Sequence, residues 1–468
     1  MYFCTEFSKS EFISGMGNVI KIKKGLDIKL KGKAPEAFIK VDISDSYAIV
    51  PDNYNGIKPK IVVRAGDKVL AGTTVMVDKD RPEIKFVSPV SGEITGVNRG
   101  EKRKVLSITI KPDRKYEYEK FEVKSDLLSY DEKGIKAVLL DAGIWPFIKQ
   151  RPYDFVANPS DTPRDIFVTA YNSAPLAPDV DFIVKSENDI LQLGLQALTK
   201  LTNGKVYLGV KPGSSLSNMP GVEVVELYGP HPVGNVGIMI NKIKPVNKGE
   251  TVWTMNAVDV LYIGRLFRKG IADFSRMVAL TGSEVVEKGY AKVISGCKIG
   301  SLIDESNIVL ANYHYRIISG NVLTGTKVCA NDYLGAYDSQ ITVIPDGDDK
   351  HEFFGWASLG FNKFTMGNTF VSSYLGFLKR EYVIDARIKG GRRAMIMSNE
   401  YDKVFPMDIL PEYLLKAIIA FNIEKMEDLG IYEVAPEDFA LCEVVDTSKI
   451  EIQKIVRDGL NLLYKEMK

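Results

Sequence analysis

Four cysteines and three histidines are all that this chain of 468 residues offers to metals and to thiol chemistry. Cys4, Cys297, Cys329 and Cys442 stand too far apart for any CxxC, CxxxC or CxxCH. That spacing excludes local zinc knuckles, ferredoxin-type clusters and covalent haem attachment. With no secretion signal, the thiols read as the reduced cysteines of a cytoplasmic protein. His231, His314 and His351 form no HExxH pair, so no metal ligand is assigned. Cys297, in ISGCKIGS, has no histidine nearby and reads as a small core residue rather than a nucleophile.

Charge of one sign is missing too. Lys plus Arg is 61 and Asp plus Glu is 60, so the basic excess that neutralises phosphates is absent and nucleic acid is not an expected partner. Long apolar runs are absent as well. The longest stretches without Asp, Glu, Lys or Arg span 15 residues, at 227–241 and 364–378, and Gly, Asn or Pro interrupts both. A spanning helix needs about 20 predominantly apolar residues, so no transmembrane segment is expected. The start, MYFCTEFSKSEFISG, lacks the basic-then-apolar order of a signal peptide. Residues 1–18 are taken as an N-terminal extension in which Met16 is an alternative start. No G-x-x-x-x-G-K-[ST], G-x-G-x-x-G or G-x-S-x-G occurs, and no nucleophile has a base at motif spacing.

What is present is a succession of four textures. Residues 19–125 alternate short apolar runs with Gly-centred turns, as in VVRAGDKVLAG and SPVSGEITGVNRG, the pattern of short antiparallel strands at tight corners. This resembles the flattened barrel of biotinyl and lipoyl carrier domains. Lys79, in VDKDR, is the carrier-lysine candidate, but Asp80, Arg81 and Pro82 follow it in a shifted register, which favours a structural barrel. Residues 126–270 alternate strands with helices: DIFVTAY, then Leu191, Leu195 and Leu198 at helical spacing, then VYLGV and VEVVEL. That order implies a parallel, Rossmann-like α/β domain whose ligands sit at the carboxyl ends of its strands. The loop GPHPVGNVG at 229–237 follows such a strand. It reads equally as a contact loop for a ligand or partner and as a strained connection needing glycine.

Residues 271–340, with a Gly every few positions, suggest a β-grasp (SLBB-like) unit, and 341–468 an aromatic segment followed by a helical C-terminal domain. Eight aromatics fall within 353–377, among them Trp356, Phe361 and Phe364. They total far more surface than the ~300–600 Å² apolar patch a monomer exposes, so most are expected in the core and a few against a partner. In the last hundred residues, Leu414, Leu415, Ile418, Ile419 and Phe421 read as one helix face ended by Gly430, and Ile452, Val456, Leu460 and Leu463 as the next.

Read together, VIKIKKGLDIKLKGKAPE, SPVSGEITGVNRG, GPHPVGNVG, RIISGNVLTG, FFGWASLGFNKF and EYDKVFPMDILPEYLLKAI resemble the A subunit of the bacterial Na⁺-translocating NADH:quinone reductase (Na⁺-NQR), in order from about Val19 to Met467. Related to that family are the C subunit of the Rnf complex and the NADH- and flavin-binding subunit of respiratory complex I. The flavin-binding relatives wrap the FMN phosphate in a G-R-G-G-A-G-F-P loop. Here the stretch is DAGIWPF, starting at Asp141, in which only Ala142, Gly143 and Pro146 match, while Ile144 and Trp145 add bulk. Backbone amides cannot crowd a phosphate past such side chains. The acids of N-x-x-E-x-E-P are also missing from YNSAPLAP, and Cys442 has Asp446 where a second cysteine often stands.

The resemblance therefore implies a cofactor-free peripheral subunit on the cytoplasmic face of the bacterial inner membrane. FAD, FMN, riboflavin and iron–sulfur centres would belong to its partners in the six-subunit complex. It would dock on the large membrane component, the B subunit, and serve the reduction of ubiquinone coupled to Na⁺ export. Quinone or partner contact is placed on His231, Pro232 and Gly234 and on Trp356, Phe361 and Phe364, since a quinone head group wants an apolar slot with few polar anchors. The alternatives are an FMN- and NADH-binding redox subunit like the Rnf relative, and a stand-alone ligand-binding protein.

Overall fold

A computed structural model describes residues 18–124, 126–309, 314–348, 359–365, 370–374 and 380–467. Its centre is a seven-stranded mixed sheet. Ile166–Thr169, Val206–Val210, Glu223–Tyr228 and Val252–Asn256 are parallel, and the antiparallel pair Lys149–Arg151 and Phe155–Val156 closes one edge. The opposite edge is a correction to the sequence reading. Asn18–Lys21 does not open the barrel but runs parallel to Glu223–Tyr228, its Val19 and Ile20 opposite Glu226 and Leu227. An alternating strand pairs wherever an edge offers free amides and carbonyls, and sequence proximity does not decide which edge.

Successive side chains of a strand point to opposite faces, and here both faces are covered. Ile166, Val168, Leu208 and Trp253 enter one core, shared with the barrel, the grasp unit and two helices, Asn188–Thr199 and Ala257–Lys269. Phe167, Val225, Leu227 and Val252 enter a second core, closed by the helix Val236–Ile243 and the C-terminal helices. That two-sided burial is why DIFVTAY reads as a continuous apolar run. The two helices of the first core cross at glycines. A Cβ on Gly264 would lie 1.9 Å from the Ile190 carbonyl oxygen, and one on Gly194 would lie 2.5 Å from that of Val260.

The barrel region consists of a four-stranded and a three-stranded sheet. Lys79 is exposed in the turn between Thr74–Asp78 and Lys85–Val87. The turn does not stand free. Arg81 pairs with Asp78 at 2.8 Å and donates to the carbonyls of Val156 and Gly56 at 3.2 Å, which ties the hairpin to the edge of the central sheet.

The grasp unit is a five-stranded sheet with its first and last strands, Ser275–Thr281 and Gln340–Pro345, parallel and adjacent in the middle. The boundary read at residue 340 therefore falls at the start of a central strand, and the unit runs on to Pro345. Cys297 is buried there, its thiol pushed up to about 12 by burial, with Arg276 a weaker opposing influence. It is a packed thiol rather than a thiolate.

The C-terminal unit departs from the sequence reading in one place. The single helix expected before Gly430 is two, Pro411–Ile419 and Ile423–Asp428, because the Asn422 side chain accepts from the Lys425 amide and starts a new helix. Ile419 and Phe421 consequently point outward. In the described part of the aromatic segment, Phe364 and Phe370 are half-buried. Phe361 is 51% and Tyr374 69% exposed, and Phe353, Phe354, Trp356 and Phe377 lie outside the described residues.

Candidate functional site

In chain order the four main parallel strands lie third, second, first, fourth across the sheet, so the connections from the first and fourth leave in opposite directions. Such a reversal opens a crevice at the carboxyl ends of the two strands concerned. Those ends are Thr169 and Asn256, which are register partners. A cleft of about 460 Å³ lies there, with Thr169, Tyr171, Asn172 and Asn256 from the sheet and its loops. The grasp unit contributes Tyr337 to Gln340 to its wall, and the C-terminal unit contributes Glu437, Gln453 and Arg457.

The GPHPVGNVG loop forms one corner. Asn235 donates its amide to Pro232 O at 2.8 Å, folding the loop into a turn before the helix Val236–Ile243. His231 is only 4% exposed. Its Nδ1 lies 3.0 Å from Ser173 Oγ, and that hydroxyl accepts from the Gly234 amide at 2.9 Å. Its own amide donates to Asp27 at 2.9 Å. Burial pushes the imidazole down to about 4, so it is neutral at pH 7. Gly234 is required by close approach, because a Cβ would lie 2.5 Å from Tyr171 O. His231 and Gly234 thus clasp the 171–174 loop and reach the cleft wall, while Pro232 serves the turn through its carbonyl.

Three charges of the cleft satisfy one another. Arg457 reaches Asp154 at 2.6 Å and Lys149 reaches it at 3.7 Å. Against the upward pull of burial, Lys149 and Arg457 hold the Asp154 carboxyl below the usual range. Lys149 also lies 4.4 Å from the centre of the Tyr337 ring. Two more acids line it, Glu437, paired with Arg151 at 3.1 Å, and Asp338, which accepts from the Ser319 hydroxyl at 2.6 Å; the other groups facing a ligand are neutral and polar. Asn172 uses its Oδ1 on the Ala174 amide at 3.0 Å, leaving its NH₂ to the cleft. Gln340 gives its NH₂ to Thr342 at 2.9 Å, and its Oε1 is buried without a hydrogen-bond partner among the described residues. The lining is therefore more polar than the slot expected for a quinone head group.

The loop Asp141–Phe147 lies behind this wall. The helix Glu132–Asp141 ends at Ala142, and Gly143 takes φ +66°, with Val87 so close that a Cβ would sit 2.6 Å from it. Ile144 and Trp145 have no exposed surface. Trp145 donates Nε1–H to Ala157 O at 2.8 Å and meets the Trp253 ring edge-on at 5.2 Å. Pro146 O accepts from the Tyr337 hydroxyl at 2.7 Å, which joins the loop to the cleft wall, while Asp141 stays outside and pairs with Lys85.

The remaining sequence candidates are elsewhere. Phe364 lines a second groove of about 500 Å³, Phe361 is exposed, and neither reaches the first cleft; Trp356 lies outside the described residues. Sequence reasoning missed Lys149, Asp154, Asn256, Gln340 and Arg457. None of them stands in a motif, and Asn256 closes a strand, Val252–Asn256, that sequence reading also missed.

Three family models match the chain: the NqrA N-terminal barrel-sandwich hybrid domain over 20–113, the NqrA second alpha/beta domain over 130–272, and the NQRA C-terminal domain over 277–330. The A subunit of the Na(+)-translocating NADH-quinone reductase of Serratia proteamaculans is 35% identical, covering 96% of this chain and all of that protein. The corresponding A subunit of Vibrio vulnificus matches equally well, at 35% identity over 96% of this chain and the whole of its own length. Among solved structures, an NAD⁺-reducing [NiFe]-hydrogenase aligns over 74% of this chain and 63% of its own at 12% identity, with a TM-score of 0.38, too loose a likeness to carry an argument. With near-complete coverage in both directions and the domains in the same order, the chain belongs to the NqrA family, the A subunits of the Na⁺-translocating NADH-quinone reductases.

Proposed function

We propose that this chain serves the quinone-reduction end of a Na⁺-pumping NADH:ubiquinone reductase, without a redox cofactor of its own. It docks on the cytoplasmic side of the membrane components, the large B subunit foremost, while flavins and iron–sulfur centres reside in its partners. The observation that carries this reading is the packing of Ile144 and Trp145. A phosphate-binding loop needs bare backbone amides facing an open space, and here two large side chains fill the interior at zero exposure. No helix among the described residues is long and apolar enough to cross a membrane, in keeping with a component held by others.

His231 contributes as a neutral clasp rather than a proton donor. It holds the 171–174 loop, from which Tyr171 and the Asn172 amide offer hydrogen bonds suited to the carbonyl oxygens of a quinone. Phe361 offers an apolar contact at the surface. The test is reconstitution. A complex assembled without this chain should still pass electrons from NADH to its flavins but lose quinone reduction, and the purified chain should be colourless. A yellow chain with a flavin spectrum would overturn the reading in favour of a flavin-binding redox protein. Unchanged quinone reduction without the chain would also overturn it.

A further inference from the structure

Residues 380–396 form a strap with almost no regular structure that is nonetheless fixed in place. Tyr382 exchanges backbone hydrogen bonds with Lys29 and Lys31 at 2.8 and 2.9 Å, Ala386 donates to Pro345 O at 3.1 Å, and Arg393 donates to Ser448 O at 2.9 Å. Within the strap, Asp385 is turned inward and paired with Arg387 at 2.7 Å and, more loosely, with the largely exposed Lys389 at 3.7 Å. With the backbone held, the side chains that face outward do so by construction. Val383 is 46%, Ile388 53% and Ile396 51% exposed, with Leu359 at 66% and Phe361 at 51% alongside. Arg380 ties the two stretches together by donating to Phe361 O at 3.3 Å, and both stretches line the 500 Å³ groove.

The charge of this surface is as uneven as its polarity. In a chain of net charge +1, the strap holds five basic residues against two acidic ones, and one of those acids, Asp385, is buried. Lys389, Arg392 and Arg393 project into solvent within five residues, among the exposed isoleucines. The Arg392 pair with Glu451 at 3.0 Å is itself largely exposed, so water and salt screen it. Isolated apolar side chains interspersed with Lys and Arg, on an anchored non-helical surface, match the two demands of a lipid interface: acyl-level burial for the apolar tips and anionic headgroups for the cations.

We propose that this strap, with Leu359 and Phe361, rests directly on an anionic phospholipid surface. The proposal deepens the peripheral reading given above and rests on it. Attraction of this kind contributes roughly fivefold in affinity per basic residue near the surface.

The purified full-length chain is mixed with vesicles of phosphatidylcholine alone or with about one-third phosphatidylglycerol, and floated on a density gradient. It should float with the anionic vesicles, stay behind with neutral ones, and be released by high salt. The variant K389E/R392E/R393E should lose on the order of 100-fold in affinity, three residues at fivefold each. The variant I388S/I396S should weaken binding while keeping its salt dependence. Both variants are compared with the parent by melting temperature, so a folding defect is visible. Equal binding to neutral and anionic vesicles, no binding to either, or full binding by the triple charge variant would overturn the proposal. If the chain ignores vesicles yet still assembles with its membrane partners, the strap meets protein rather than lipid, and the peripheral reading survives on its own.

Discussion

Trp145 separates a packed scaffold from a vestigial flavin cradle, and its removal is the most informative single change. The side chain has no exposed surface, donates to Ala157 O at 2.8 Å, and stacks edge-on against Trp253 at 5.2 Å. Trp145→Ala deletes the ring, leaves a cavity and strands a buried carbonyl. The truncation alone costs about 3–5 kcal/mol. The unpaired Ala157 oxygen adds about 1 kcal/mol or more. For a unit of this size, each kcal/mol moves the melting temperature by about 2–4 °C, so a fall of roughly 10 °C or more is expected.

Trp145→Phe is the control. It keeps an aromatic edge for Trp253 and loses the indole N–H, so about 1–3 kcal/mol should go. The assay is thermal unfolding followed by near-ultraviolet circular dichroism, with FMN titrated into each variant. If Trp145→Ala melts within a degree or two of the parent and binds FMN, the ring was plugging a functional cradle and the packing argument is wrong.

Other consequences of the structure are equally measurable. Arg151 is buried between Asp438 at 2.7 Å, Glu437 at 3.1 Å and Glu433 O at 2.7 Å, so Arg151→Met should destabilise the joint between sheet and C-terminal helices by about 3–5 kcal/mol; hydrogen exchange should rise first in 436–445, and uniform protection there would contradict this. His231 has its pKa pushed down to about 4 by burial, against about 6.5 when unfolded; the unfolded chain therefore binds the extra proton, and stability complete above pH 6.5 is lost as pH falls towards 4, by about 3 kcal/mol. Difference melting curves of parent and His231→Asn should diverge only below pH 6.5, and parallel curves would refute the assignment. Gly264→Ala would drive a methyl to within 1.9 Å of Ile190 O and should cost about 1–3 kcal/mol or more, where a stabilised variant would mean that the helix contact is looser than described.

Much of the architecture was legible because its signals are local. The turn glycines of 62–100 and the leucine spacing of 191–198 each encode their element within a few residues, and each is found where expected. Val252–Asn256 was hidden because a short apolar run before a helix looks like the start of that helix. The break at Asn422 was hidden because apolar spacing continues on both sides of a cap. At the cleft, His231 and Gly234 were visible through an unusual loop. Lys149, Gln340 and Arg457 were not, since each stands in ordinary sequence and matters only because three separate units bring them to one place.

The strand Asn18–Lys21 has a consequence for how the chain comes together. It leaves the ribosome ahead of the barrel, yet its partner Glu223–Tyr228 follows some two hundred residues later, after the barrel, the first helix and most of the sheet. During synthesis it must wait unpaired until that edge is made. A fragment cut at the boundaries of the α/β region would never receive the strand. It would carry the bare flank of Glu223–Tyr228 as a template for pairing with its own copies, so such fragments should associate more readily than the full chain, in which Asn18–Lys21 covers that edge.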